Sequence, residues 1–343
     1  MAARWRVVWI EHRPERRELL KLLEESGCEV ILGRPFTDAA NEYTPDEVRA
    51  LIADADAIMV GTREHFPKEV LAAGKKLSTV AKLGIGVERI DIPGATELGI
   101  LVSNTPVEEN YLGVAEATLA RILAMAKELK VGDRNARAGK WRSVTNVYLK
   151  GKAIGIVGFG RIGRRVADLF QPWDVQLLAY DPYIPEAAIR EQGVEPVSLE
   201  ELLQRSDFVT LHVVATPENR KLIGAPELAL MKPTSYLVNT ARGVVLDEIA
   251  LAQALQEGRI AGAAIDVFEP EPPPPDHPLL AEELFYKTIY SPHTASSTPE
   301  LETRMPAVMV ENTLRALRGE VPEFLVNPEA IPAWRARFGA TIG

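Results

Sequence analysis

Three side chains of complementary chemistry stand late in the chain, each just past an apolar run that reads as a strand. Arg242 follows Ser235–Asn239, Glu271 follows Gly262–Asp266, and His293 closes the run Tyr290-Ser-Pro-His293. A guanidinium is a permanently charged fork that fits a carboxylate. An imidazole paired with a carboxylate keeps a proton available near neutral pH. Beside a hydride donor the three form a chemical unit: His293 gives a proton to the alkoxide left by ketone reduction, Glu271 is its partner, and Arg242 holds a substrate carboxylate and polarises the carbonyl next to it. Taken singly, such residues more often sit in solvated salt bridges. Their shared placement at strand ends, where ligands bind in doubly wound sheets, is what favours chemistry.

A place for the hydride carrier lies upstream. Gly158-Phe159-Gly160-Arg161-Ile162-Gly163 follows the apolar run Ala153–Val157 and opens a helical pattern that continues through Phe170. Glycines at this spacing let the backbone turn sharply, approach a pyrophosphate and pack the helix against the strand, while the helix N-terminus offers N–H groups. A second strand, Val175–Tyr180, ends in Asp181, 18 residues beyond Gly163 and near the spacing of a ribose-binding acid. A carboxylate there accepts from the 2′-hydroxyl and repels a 2′-phosphate, which favours NAD over NADP.

The elements that must position these groups follow a βαβ rhythm. Arg6–Ile10, Glu29–Leu32, Ala57–Val60, Thr79–Leu83 and Ile100–Val102 read as strands with helical stretches between them. Thr44-Pro45-Asp46-Glu47 reads as a capping box with proline at the first helical position, opening a helix that ends near Asp54. One long helix is expected from Glu108 to Lys130, its apolar face formed by Leu112, Ala115, Leu119, Ile122, Leu123 and Ala126. A second strand series runs through Ala153–Val157, Gln176–Tyr180, Phe208–His212, Ser235–Asn239 and Gly262–Asp266. Glu269–Pro275, with five prolines in seven residues, is expected as an extended surface loop. A last helix, Pro299 to Arg318, closes the ordered core. The fold class is therefore α/β, with two doubly wound parallel sheets.

Size and composition agree. A chain of 343 residues suits about two domains. With 39 basic against 48 acidic residues the net charge is −9, which disfavours a nucleic-acid partner. The single cysteine, Cys28, forms no internal disulfide, and no Cys/His spacing suggests a metal. Val7–Ile10 is too short for a signal core, and no stretch approaches a membrane span, so a reducing cytoplasm is the expected compartment. His12, His65 and His277 fall in stretches that read as exposed loops and carry no assigned role. Trp141, Tyr148 and Tyr111 flank the long helix, where packing is the plainer role and a substrate pocket the sharper one.

In one order, the chain carries Gly158–Gly163, Asp181, Val238-Asn-Thr-Ala-Arg242-Gly243 with Asp247-Glu248, Gly262-Ala-Ala-Ile-Asp266-Val-Phe-Glu-Pro-Glu271-Pro and Ser291-Pro-His293. It resembles the D-isomer-specific 2-hydroxyacid dehydrogenases, from Arg6 to about Asn327. That resemblance implies that Arg242, Glu271 and His293 are the catalytic set. Asp266 then meets the nicotinamide carboxamide, and His212, Thr240 and Ala241 line the cofactor. The loop Lys82-Leu83-Gly84-Ile85-Gly86 receives the substrate carboxylate on backbone amides. The implied organisation is a flavodoxin-like substrate domain, residues 1–103 plus 297–343, interrupted by a Rossmann NAD-binding domain at 104–296, in a homodimer. Lys82 in place of a frequent arginine, Glu88-Arg89 in place of Asp-Asn, and one extra residue in Val107–Tyr111 all lie around the substrate. The expected substrate is a small 2-hydroxy or 2-keto acid. Phosphoglycerate dehydrogenase activity and an NAD-sensing corepressor-like binding protein are the alternatives. A formate dehydrogenase, which pairs its histidine with glutamine, is disfavoured by Glu271.

Overall fold

Apolar runs buried on both faces belong in parallel sheets covered by helices, and every strand pair among the described residues is parallel. The computed structural model describes residues 4–13, 16–35, 42–61, 63–141 and 145–339. The chain divides into two units, residues 1–107 with 299–343, and residues 108–298.

In the first unit, β1 (Trp5–Trp9), α1 (Arg17–Glu25), β2 (Cys28–Leu32), α2 (Pro45–Ile52), β3 (Ala57–Val60), α3 (Lys68–Leu71), β4 (Thr79–Lys82), α4 (Ile92–Glu97) and β5 (Leu101–Ser103) build a sheet of order β2-β1-β3-β4-β5. The capping box at Thr44 forms as read: its hydroxyl accepts from the Glu47 N–H while Glu47 accepts from the Thr44 N–H. Val48, Ile52, Val70 and Leu71 cover one face of the sheet. Leu23 covers the other, together with residues from the far end of the chain. Beyond the ends of the paired strands β1 and β3, the carboxyls of Glu11 and Glu64 meet, both buried; burial and the contact with Glu11 push Glu64 up to about 8.

The second unit begins with α5 (Glu108–Ala126) and α6 (Leu129–Arg137). It continues through β6 (Ala153–Val157), α7 (Arg161–Phe170), β7 (Gln176–Tyr180), α8 (Glu186–Arg190), β8 (Glu195–Pro196), α9 (Leu199–Arg205) and β9 (Phe208–Leu211). It ends with α10 (Ala225–Leu230), β10 (Tyr236–Asn239), α11 (Glu248–Gln256), β11 (Gly262–Ile265) and β12 (Thr288–Tyr290). The sheet order is β12-β11-β10-β9-β6-β7-β8, so the topology reverses between β6 and β9. Ala115, Ile122, Val166 and Phe170 pack one face, and Leu202, Leu228, Leu251 and Leu255 the other.

The expected helix from Glu108 to Lys130 is in fact two. Glu128 adopts φ 50°, a left-handed conformation, and the Ala126 carbonyl accepts from the Val147 N–H rather than from a further turn. The chain then re-enters the first unit as α12 (Pro299–Leu317), whose Met309, Val310, Leu314 and Leu317 pack with Val7, Trp9, Met59 and Ala81. It is not the last helix: α13 (Ile331–Phe338) follows and buries Trp334 against Leu101. Asn327 brackets the edge strand, accepting from the Val102 N–H at 2.8 Å and donating to the Ile100 carbonyl at 3.0 Å.

Candidate active site

The glycine turn sits at the reversal point of the second sheet, and each glycine has its own reason. Gly158 has φ +94°, and a Cβ there would lie 2.7 Å from the His212 backbone. At Gly163 a Cβ would lie 2.1 Å from the Gly158 carbonyl oxygen, so helix and strand approach only without a side chain. Gly160 has nothing within 4 Å of its would-be Cβ; that space is open. It stands at the N-cap of α7 and makes no side-chain cap, and a helix start of this kind, with its N–H groups and positive end, suits an anion. Asp181 accepts from the Phe159 N–H at 2.8 Å and the Tyr183 N–H at 2.9 Å, which ties the acid to the turn. Arg164 donates to the Phe159 carbonyl at 3.2 Å.

His212 is buried just past β9, its Nε2 3.0 Å from the Thr210 hydroxyl. Burial lowers its pKa to about 3, so the ring is neutral. Its Nδ1 is buried with no partner among the described residues. Thr240 and Ala241 are buried past β10, with the Thr240 hydroxyl 3.2 Å from that of Thr118.

The three chemical groups stand on neighbouring loops at the ends of β10, β11 and β12. Asn239 shapes the first loop, accepting from the Ala241 N–H and donating to the Arg242 carbonyl, both at 3.0 Å. A Cβ at Gly243 would lie 2.2 Å from the Phe268 backbone, so the Arg242 and Glu271 loops close on each other only because residue 243 is glycine. Glu271 accepts from the Phe268 N–H at 3.1 Å, and its other oxygen lies 2.7 Å from His293 Nδ1. Burial would raise the Glu271 carboxyl, but the His293 contact, the Phe268 amide and the charge of Arg242 outweigh it and hold the group below the usual range. Both side chains stay partly open, at 38% and 47%. His293 itself has φ 53°, fixed by its N–H donating to the Asp266 carbonyl at 2.7 Å. An imidazole backed by an ionised carboxylate on one nitrogen presents the other for proton transfer.

Asp266 is almost fully buried. It accepts from Arg121 at 2.8 Å, from the Ser291 hydroxyl, and from the N–H groups of Thr294 and Ala295 at 3.0 Å. The Arg121 partnership was not foreseen from sequence. His277 corrects the reading outright: it is buried, not exposed, and its Nε2 lies 2.9 Å from Glu248. The signal was present as His277-Pro278, a helical-turn start, opposite the acidic start of α11. Trp141 and Tyr148 pack little within the chain, at 95% and 81% exposure.

In the first unit, the loop after β4 is pinned by its neighbours. Gly84, φ +98°, donates to the Thr105 hydroxyl at 2.7 Å, and the Asn104 amide donates to the Ile85 carbonyl at 2.7 Å. Lys82 is buried, with its ammonium donating to the Leu83 carbonyl next to the Gly84-Ile85-Gly86 turn.

A parallel sheet whose reversal point carries a glycine turn, an acid after the next strand and an uncapped helix start is a dinucleotide-binding domain. The model of the D-isomer-specific 2-hydroxyacid dehydrogenase NAD binding domain matches residues 119–295. A glyoxylate reductase from Korarchaeum cryptofilum is 41% identical over 318 residues, covering 90% of this chain and 95% of that protein. A D-3-phosphoglycerate dehydrogenase from Methanocaldococcus jannaschii is 38% identical over 93% of this chain, which spans only 59% of that longer protein. A D-lactate dehydrogenase from Aquifex aeolicus, solved with NAD and lactic acid, superposes with a TM-score of 0.81 at 28% identity, covering 93% of this chain and 98% of that one. The chain belongs to the D-isomer-specific 2-hydroxyacid dehydrogenases, NAD-dependent oxidoreductases built on two parallel-sheet domains.

Proposed function

We propose that this protein interconverts a small D-2-hydroxy acid and its 2-keto acid, with His293 as acid–base, Glu271 as its partner and Arg242 on the substrate carboxylate. The observation that carries the reading is the 2.7 Å contact between His293 Nδ1 and an ionised Glu271, with Arg242 close enough to act on that carboxylate. A nicotinamide bound at this site would supply or accept the hydride. Gly158–Gly163 and Asp181 would hold its pyrophosphate and ribose, and His212, Thr240, Ala241 and Asp266 are the residues that would line the nicotinamide end. In the reductive direction His293 gives the proton at Nε2 to the carbonyl oxygen, and Glu271 stabilises the cationic ring beforehand. Arg242 orients the carboxylate and polarises the carbonyl. Lys82, Leu83, Gly84, Ile85 and Gly86 receive the carboxylate from the other domain, residues 1–103 with 297–343 as read from sequence; 104–296 is the cofactor domain. The working assembly is a homodimer, a reading supported by the exposed Leu129, Trp141 and Tyr148, and the compartment is taken as the cytoplasm from the sequence reading.

NADH oxidation with glyoxylate, hydroxypyruvate, pyruvate, 2-oxoglutarate and phosphohydroxypyruvate, repeated with NADPH, tests the proposal. One strong substrate with NADH is the expected result. His293→Ala then loses at least about 10³-fold in kcat while NADH still binds. NADH binding without turnover of any 2-keto acid would instead favour a corepressor-like binding protein.

A further inference from the structure

Behind the Glu271 turn lies a second carboxylate–imidazole pair that the chemistry above does not use. Glu248, the first residue of α11, is buried. One of its oxygens accepts from the Glu269 N–H at 3.0 Å, and the other meets His277 Nε2 at 2.9 Å. The far nitrogen of the ring, His277 Nδ1, accepts from the Leu279 N–H at 3.3 Å. An acceptor at Nδ1 leaves the proton of a neutral ring on Nε2, so His277 donates to Glu248 and the carboxylate is the anion of the pair. The N-terminus of α11 favours that negative charge.

These contacts lead directly to the acid–base couple. The His277 ring stands edge-on to Phe268, centroids 5.9 Å apart at 86°. Phe268 donates its N–H to Glu271, whose other oxygen meets His293. Glu248 thus grips the amide of residue 269, His277 braces the ring of residue 268, and the turn between them presents the Glu271 carboxylate. Burial pushes Glu248 up to about 7 against the Glu269 amide, with the charges of Glu269, Glu271 and Asp247 also raising it, while burial lowers His277 against the opposing charge of Asp276. An anion kept in such surroundings contributes little to stability that an apolar pair could not, and its value lies in specifying one geometry.

We propose that Glu248 and His277 are positioning residues that fix the 268–271 turn, so that Glu271 meets Nδ1 of His293 and sets that ring's tautomer. The proposal rests on the roles given above to Glu271 and His293. Its first readout needs no turnover: long-range 15N–1H correlations from the carbon-bound ring protons of 15N-histidine-labelled protein, at about pH 8. In the unmodified protein His277 is expected as the neutral Nε2–H tautomer and His293 as Nδ1–H. In Glu248→Gln and His277→Gln, His293 moves toward the Nε2–H form that free imidazole prefers, while the NADH dissociation constant stays within about twofold. On the substrate found above, both variants lose about tenfold or more in kcat with little change in KM, and Glu248→Asp recovers part of it. An unchanged His293 tautomer in a folded variant overturns the proposal. So does a His277 ring in the unmodified protein that is cationic or protonated at Nδ1, a result that stands even if neither variant folds. Failure of every 2-keto acid would remove the dehydrogenase reading but leave the spectral result to decide this one.

Discussion

Asp266 shows how much of a site can hide in one carboxylate. Arg121, Ser291 and two backbone amides converge on it in a buried place, with the Arg121 side chain only 12% exposed. Removing one member of a buried ion pair strands the other. Arg121→Met is therefore expected to cost roughly 3–5 kcal/mol, on the order of 10 °C in the melting transition of the second unit by calorimetry. A loss of under about 1 kcal/mol would mean that Ser291 and the amides suffice. Arg242, Glu271 and His293 were legible in sequence because each follows its own strand and their types are chemically complementary. Arg121 was not, since it lies on α5, 145 residues before its partner, and looks like any helix arginine. His277 was hidden for a similar reason: a short proline-rich stretch reads as solvent-exposed unless Glu248 is known to lie beneath it.

Elements were more legible than their ends. Nine of the ten strands named from sequence keep at least three residues of their span, because buried β runs announce themselves by apolarity, and Ile100–Val102 slides by one to Leu101–Ser103. The break between α5 and α6 escaped notice because it depends on Val147 capturing the Ala126 carbonyl, a contact no local window contains. The glycine turn separates folding from binding within six residues. Gly158→Ala would place a Cβ against the His212 backbone at φ +94°, so its expected effect is a lower melting temperature. Gly160→Ala meets nothing in the protein and should melt like the unmodified chain, yet bind NADH at least about tenfold more weakly by fluorescence titration. Equal NADH affinity in Gly160→Ala would show that the pyrophosphate does not pass there.

For the whole molecule, the buried Glu11–Glu64 pair sets a direction for stability against pH. The Glu64 carboxyl is raised from 4.5 to about 8, so between those values the folded chain binds a proton the unfolded chain has released. Stability from this group is complete at low pH and is lost as pH rises toward 8. The melting temperature of the first unit is expected to fall from pH 5 to pH 8, and Glu64→Gln to flatten that slope; an equally steep slope in the variant would remove Glu64 as its source. That unit is also built from both ends of the chain. Its strands span residues 5–103, whereas Met309, Val310 and Leu314 cover its second face and Asn327 brackets β5. At translation speeds of about 5–20 residues per second, the strands wait roughly 10–40 s for that cover. Residues 108–298 hold their own core in one continuous stretch and need not wait. During that interval the nascent chain shows Val7, Trp9 and Met59 to whatever is nearby. Of these two units, the one whose strands are made earlier is thus the one whose core closes later, and a chaperone would find its binding surface there.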